Sequence, residues 1–398
     1  VKKWHGASFI NRRKKALASF GAPFPFYQTF GDSDKSEILD DNKFINYCSY
    51  DYLGLAKHEK VLESIEKGVR EYGASISAAR VLYGNREFHN HLEQQLARCL
   101  QAEDSLLFPS GYGANVSTIS YLFGEKDIII HDEFLHTSCQ QGIKFSGAGS
   151  RAFQHNNLSD LERVLKDCSI EMERTLVIVE GAYSINGDIV DLPLLLELKK
   201  KYKFKLMIDE AHSFGVLGKR GLGLSDYFEV NAESVDIWMG SLSKSLASMG
   251  GFIAGDSTLI ETLRLNAPGS VFTAGLAAPL CFASLAAIEI LENEPERVKR
   301  LQTISEFFAQ KLSDLGIAFD KTCASSPIVS VVLKNEQQAV LAAYHLQVNG
   351  VLVKPFIYPA APRGSGRLRF FITTALEEAD LEFTAVTLAK YLENDSDS

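Results

Sequence analysis

Two short runs constrain the fold most. Thr-Leu-Val-Ile-Val-Glu at 175–180 and Lys-Leu-Met-Ile-Asp-Glu at 205–210 are almost unbroken apolar stretches that end in acids. Each is too short for a buried helix and lacks the alternation of a strand with one wet face. Such runs fit interior strands of a parallel sheet covered on both sides. Further strands are expected at Ser105–Phe108, Asp127–His131, Asp236–Gly240 and Gly251–Ala254. Helical periodicity fills the gaps, as in His58–Tyr72, where Val61, Leu62, Ile65 and Val69 share a face, and in Glu87–Leu100, Gly113–Phe123, Leu158–Lys166 and Leu192–Lys201. Alternation of this kind predicts an α/β fold with a mainly parallel sheet. The last third differs. Helices at Pro279–Leu291, Pro295–Leu315, Glu336–Val348 and Glu377–Leu392 accompany strands at Ile328–Leu333, Val351–Lys354 and Leu368–Ile372. That pattern predicts a smaller α+β domain. The expected division is an N-terminal segment 1–55, a large domain 56–275 and a small domain 276–398.

Open α/β sheets bind ligands beyond the carboxyl ends of their strands, so those ends carry the functional reading. Residues 236–255 place a hydroxyl-rich turn, Ser241-Leu242-Ser243-Lys244-Ser245, between two apolar runs. A lysine there is a poor solubilising group. Desolvation favours its neutral amine, the form that a Schiff base requires, although a strand-end lysine can also simply snorkel. Ser110-Gly111-Tyr112-Gly113 opens a predicted helix, where backbone amides can close on an anion; an ordinary N-cap at Ser110 is the plainer alternative. His131 ends the next strand and Asp132 and His136 follow it, in a spacing that matches no metal signature. Asp209-Glu210-Ala211-His212 also spells a helicase tetrapeptide. That reading needs an upstream G-x-x-x-x-G-K-[ST] loop, which the chain lacks.

Together these groups form a set: a glycine cup for a phosphate, an imidazole able to stack, an acid for a pyridinium, and a lysine. They match the needs of pyridoxal 5'-phosphate (PLP). Lys244 would form the imine, and Asp209 would keep the ring nitrogen protonated.

With these residues in place, the chain resembles the α-oxoamine synthase family of fold-type I PLP-dependent transferases. The likeness runs from Tyr47-Cys48-Ser49-Tyr50-Asp51-Tyr52-Leu53-Gly54-Leu55 to Arg367-Leu368-Arg369. It rests on S-G-Y-G-A-N, D-E-F-L-H-T-S, H-N-N-L-S-D-L-E, V-E-G-A-Y-S-I-N-G-D, D-E-A-H-S-F-G-V-L-G and S-L-S-K-S. The resemblance implies that Lys244 carries the cofactor and shuttles protons and that Asp209 pairs with the ring nitrogen. It implies that His136 stacks on the ring, while Ser184 and His212 sit near its phenolic oxygen, His212 also polarising a substrate carbonyl. Gly111, Tyr112 and Ser241 would hold the phosphate, with Thr273 contributed by a second subunit. Arg369 would hold the amino-acid carboxylate, a task suited to a guanidinium, and Asp51 would lie at the substrate.

The implied reaction joins an α-amino acid to an acyl thioester, acyl-CoA or acyl-carrier-protein, giving an α-amino ketone, free thiol and CO2. The implied assembly is a homodimer with shared active sites. S-K-S-L-A-S-M-G-G-F-I-A-G resembles the serine palmitoyltransferase branch, whereas H-N-N and Y-D-Y-L-G-L resemble 8-amino-7-oxononanoate or autoinducer synthases. Ser241 and Ser243 stand where threonine is common, and Leu376 where several members carry histidine. Glycine C-acetyltransferase, another fold-type I aminotransferase or lyase, and a non-enzymatic scaffold are the competing readings. The scaffold reading is weakened by the presence of both Lys244 and Asp209.

Composition narrows the setting. A net charge of −9 argues against a nucleic-acid partner, although Arg12, Arg13, Lys14 and Lys15 cluster near the start. The six cysteines show no C-x-x-C spacing and read as reduced thiols of a cytoplasmic protein. The longest apolar stretch, near Pro279–Leu291, is interrupted by Ser284 and Glu289, so no membrane span is expected.

Overall fold

The computed structural model describes residues 14–15, 19–22, 25–26, 36–39, 42–168, 174–320, 326–358 and 364–396. Of the basic N-terminal cluster, Arg12 and Arg13 lie outside these; Lys14 and Lys15 are exposed. The chain forms two compact units. The smaller comprises residues 1–49, 185–187 and 301–398, and the larger 50–184 and 188–300.

In the smaller unit, β1 (Ser36–Leu39) and β2 (Asn42–Asn46) form an antiparallel pair. The N-terminal segment is therefore not separate, as the sequence reading had it. Its β2 is built into the same unit as the C-terminal third. Tyr47 shows the physical reason: its ring packs edge-on to Phe370 at 5.1 Å and stacks on Phe308 at 5.8 Å. Its hydroxyl donates to Thr384 Oγ1 at 2.9 Å.

The larger unit holds a seven-stranded sheet. Its strands are β3 (Asp104–Phe108), β4 (Ile128–Asp132), β5 (Gly149–Phe153), β6 (Thr175–Glu180), β7 (Lys205–Asp209), β8 (Ile237–Ser241) and β9 (Gly251–Gly255). The spatial order is β3-β9-β8-β7-β6-β4-β5. Neighbours from β8 through β5 pair in parallel, and β9 runs antiparallel to both β8 and β3. Every residue of β6 is buried, as its unbroken apolar run requires. The edge strand β5, Gly-Ser-Arg-Ala-Phe, escaped the sequence reading because only Phe153 is buried. An exposed edge strand of this kind carries no apolar run by which to find it, unlike β3 at the other edge, whose last four residues are buried.

Four helices matter below: α1 (Glu59–Tyr72), α2 (Glu87–Cys99), α3 (Gly111–Leu122) and α4 (Thr137–Ser146). Against one face of the sheet, Ala114 and Ile119 of α3 and Cys139 and Ile143 of α4 join Leu106, Ile129, Ile178, Met207, Met239 and Ile253 in a continuous core. Each fully buried aliphatic side chain of this kind stabilises the fold by about 1.5–3 kcal/mol. The helix at Ala278–Asn293 stays with the larger unit, past the boundary expected at 275. It lies close against α1, where a Cβ on Gly68 would come within 2.9 Å of the Phe282 ring.

The smaller unit is completed by β10 (Ile328–Leu333), β11 (Val351–Leu352), β12 (Lys354–Phe356) and β13 (Gly366–Phe371). The order β10-β13-β12 is antiparallel, and β11 pairs in parallel with β2. Among the described residues, no helix is long and apolar enough to cross a membrane.

Candidate active site

The carboxyl ends of β3, β4, β6, β7 and β8 converge on a cavity of about 270 Å³. Lys244, Asp209, His136, His212, Gly111, Tyr112 and Ser241 all line it. The strand-end reading of the sequence thus brings seven of its eleven site residues to one place. Ser184, Thr273, Asp51 and Arg369 are not in this lining.

The cradle begins at α3. Ser110 caps it, its hydroxyl accepting from the Gly113 amide at 2.9 Å and its carbonyl from Ala114 at 2.9 Å. The amides of Gly111 and Tyr112, ahead of these, have no intrahelical acceptor and carry the positive end of the helix. Glycine is required here by close approach. A Cβ on Gly251 would lie 2.5 Å from Gly111 Cα, and one on Gly111 would lie 3.0 Å from the Met239 methyl. Opposite, Ser241 Oγ and Ser243 Oγ are 2.8 Å apart.

Lys244 sits on the turn between β8 and β9. Leu242 N–H donates to Gly250 O at 3.0 Å, and Ala247 N–H to Lys244 O at 3.1 Å. Ala247 at φ 49° and Gly250 at φ 138° hold the turn tight. The lysine is half-buried, less enclosed than the flanking apolar runs imply.

Asp209 is 4% exposed. Its Oδ1 accepts from Ala211 N–H at 2.9 Å and its Oδ2 from Asn115 Nδ2 at 2.8 Å. In the register of β6 and β7, Glu180 stands directly beside Asp209. Glu180 also lines the cavity and is 3% exposed. Its Oε2 accepts from Ser184 N–H at 3.0 Å, while Oε1 has no hydrogen-bond partner among the described residues. Burial, reinforced by the charge of Asp209, pushes its carboxyl up to about 8, so it is mostly protonated at neutral pH.

His212 Nδ1 lies 2.7 Å from the hydroxyl of Tyr52, which is fully buried. His136 Nδ1 lies 2.6 Å from Ser138 Oγ. Sequence reasoning assigned no role to Glu180, Asn115, Ser138 or Tyr52, although all four lie within the motifs quoted above. Glu180 alone carried a signal, an acid ending an otherwise apolar strand; Asn115 and Ser138 lie on helices and Tyr52 in a turn.

The other site residues are placed as follows. Ser184 is held by its amide to Glu180. Both carboxylate oxygens of Asp51 accept backbone amides of its own turn, from Leu55 at 2.8 Å and Ala56 at 3.0 Å. The Thr273 hydroxyl donates to Gly269 O at 2.6 Å. Arg369, on β13 of the smaller unit, has its guanidinium over the rings of Phe356 at 4.4 Å and Phe371 at 4.7 Å. No group of acids, histidines and cysteines suited to a metal ion occurs among the described residues. A larger open hollow of about 1080 Å³ lies where β7 begins, away from this chemistry. It is rimmed by lysines, of which Lys199 and Lys205 pair with Asp236, and it gathers no acid–base set.

Residues 42–386 match the model of the family described as aminotransferase class I and II. An 8-amino-7-oxononanoate synthase of Symbiobacterium thermophilum is 34% identical over 382 residues, covering 96% of this chain and 97% of that protein. A 4-hydroxy-2,2'-bipyrrole-5-methanol synthase of Serratia is 33% identical over 391 residues, 97% of this chain but 59% of that longer protein. Among solved structures, a serine palmitoyltransferase from S. paucimobilis with PLP and myriocin bound superimposes with a TM-score of 0.92 at 26% identity. That match covers 99% of this chain and 98% of the other.

Fold and site therefore define a PLP-dependent transferase of fold type I. The chain belongs to the aminotransferase class I and II family and, within it, to the α-oxoamine synthases, acyltransferases that condense an α-amino acid with an acyl thioester and release CO2. The residues present fit that cofactor. A helix amino end with a glycine-tight backbone faces two hydroxyls, a buried carboxylate is fixed by two donors, and a lysine and an imidazole share the same cavity.

Proposed function

We propose specific roles for the residues of this site. The carrying observation is that one cavity joins Lys244, Asp209, His136 and His212 at the ends of successive strands. When bound, PLP supplies the electron sink that makes the substrate α-carbon acidic. Lys244 is the residue that bonds the cofactor and moves the proton at that carbon. Asp209 holds the proton on the pyridine nitrogen. His136 packs on the ring, and His212, aimed by Tyr52, polarises the acyl carbonyl and lies with Ser184 at the phenolic oxygen. Amides of Gly111 and Tyr112 and the hydroxyl of Ser241 hold the phosphate. Arg369 takes the amino-acid carboxylate, its planar guanidinium already stacked between two rings for bidentate recognition. Asp51 keeps the turn before α1 closed beside the substrate.

The working form is a homodimer in the cytoplasm. Val81 is 51% exposed, Leu82 84%, Tyr83 74% and Phe272 82%. These apolar side chains flank Thr273 across the bridge between Ala79 and Ala274. A second copy is the occupant that suits such a patch and brings Thr273 to a neighbouring phosphate. Phe272→Asp should shift the protein from dimer to monomer in sedimentation, and an unchanged dimer would refute this face. The relatives and the solved structure carry names for three different enzymes, so the substrates are set by experiment. Incubation with a panel of amino acids and acyl thioesters should yield an α-amino ketone with one thiol and one CO2 per turnover. Conversion of the cofactor to its pyridoxamine form without thiol release would favour an aminotransferase instead.

A further inference from the structure

Hydrogen bonds run unbroken from Asp209 to His136 through two residues that have been given no role. Asn115 and Ser138, on α3 and α4, are 1% and 0% exposed, and both line the cavity. Asn115 Nδ2 donates to Asp209 Oδ2 at 2.8 Å and to Ser138 Oγ at 2.9 Å. Ser138 Oγ then lies 2.6 Å from His136 Nδ1.

Donor and acceptor counting fixes the direction of this chain. Both carboxylate oxygens of Asp209 accept, Oδ1 from Ala211 N–H and Oδ2 from Asn115, so it is the amide nitrogen of Asn115, not its oxygen, that faces Asp209. Its second hydrogen is given to Ser138, whose oxygen therefore accepts. The single hydroxyl proton of Ser138 is left to point at His136 Nδ1. The Ser138 backbone amide also donates to that nitrogen, at 3.3 Å. Two donors aimed at Nδ1 leave no room for a proton there. A neutral His136 then carries its hydrogen on Nε2. The orientation has a cost that an inert packing residue would not incur: Asn115 Oδ1 is buried with no partner among the described residues.

We propose that Asn115 and Ser138 are positioning residues, a directional relay by which the charge of Asp209 fixes the tautomer and the ring orientation of His136. The inference rests on the PLP reading of the site for its purpose, but the relay is a property of the protein alone. It ties the acid beneath the ring nitrogen to the imidazole on the ring face, so that both are set before substrate arrives.

The test is nuclear magnetic resonance of the protein labelled with ¹⁵N-histidine, with and without PLP. Wild type should show His136 protonated at Nε2 and bare at Nδ1. Ser138→Ala and Asn115→Leu should each shift the tautomer ratio by about tenfold, the effect of one lost hydrogen bond. Each should lower kcat about tenfold with KM for the acyl thioester unchanged, and the double variant should be no worse than the more affected single one. Should Asn115→Leu fail to fold, Ser138→Ala, which removes only a hydroxyl, decides. A wild-type His136 protonated at Nδ1, or variants that leave its signals unmoved, would overturn the relay. Failure to take up PLP would instead sink the cofactor reading, while the apoprotein spectrum still tests the tautomer.

Discussion

Two polar clusters lie at the ends of β4 and β7, the strands on either side of β6, and they use the same chemistry to opposite ends. At the end of β4, Asp132 Oδ1 meets His155 Nδ1 at 2.9 Å, and His155 Nε2 lies 3.2 Å from Asp188 Oδ1. Asn156 seals the cluster, giving its amide to Asp132 at 2.7 Å and its side chain to Asp188 at 2.6 Å. Phe134 stacks on the imidazole at 4.4 Å. At the end of β7, Asp209 also meets an asparagine and, through a serine, a histidine. The first cluster closes on itself: acids on both sides consume both nitrogens of His155. The second has a cavity at its edge, into which His136, Asp209 and Glu180 all face. Carboxylate, amide and imidazole therefore do not by themselves mark a functional site. What marks it is that the arrangement ends at a space of ligand size.

Electrostatics separates the two clusters further. Burial opposes the charge on His155, yet hydrogen bonds and the charges of Asp132 and Asp188 outweigh it and hold the imidazolium up to about 10. His155 is a structural cation. Glu180 is the reverse, an acid kept neutral by burial and by its neighbour Asp209.

Breaking either cluster tests the contrast. The largest effect is expected on the open side. Lys244→Ala should lower turnover, followed as thiol release, by about 10³-fold or more, because the amine that lines the cavity is gone. Its melting temperature should stay near wild type, since the side chain is half-buried on a turn.

On the closed side the order reverses. His155→Leu leaves two buried acids without their cation and should cost about 3 kcal/mol of stability in denaturant titration. The sign of the pH dependence follows from the raised value. The contribution of His155 is complete below its unfolded pKa of about 6.5 and is lost as pH rises through about 10. Wild type should therefore lose stability over that window, and the variant should lose less.

The smallest effect is expected at Glu180. Its raised value means the folded apoprotein holds a proton that the unfolded chain releases, so stability falls as pH rises from about 4.5 to about 8. Glu180→Gln should flatten this slope without lowering the maximum. A variant with the wild-type slope would show that the carboxyl is already ionised.

The sequence made part of this legible for physical reasons. Interior parallel strands announce themselves as apolar runs, so β6 and β7 match the expected residues, and the functional strand ends follow from them. The exposed β5 and the glycine-containing α4 carry no such pattern and were missed. So was the inclusion of β2 with the C-terminal third, because strand pairing across some 300 residues leaves no local trace. In the site, Lys244, Asp209, His136 and His212 were visible as polar residues where apolar runs stop. Asn115 and Ser138 were not, since each resembles an ordinary helix residue until the fold brings α3 and α4 together. His155 shows the converse: the H-N-N motif was noticed as a family cue, but its role as a buried cation depends on acids 23 and 33 residues away.

Chemical trapping reaches the heart of the account. The purified protein, loaded with PLP, is reduced with sodium borohydride and digested, and the pyridoxyl-bearing peptide is sequenced by mass spectrometry. The tag should fall on Lys244 alone, in the peptide containing Ser241-Leu242-Ser243. A tag on any other lysine, or a protein that takes up no cofactor, would contradict the assignment of the open cluster as the catalytic one.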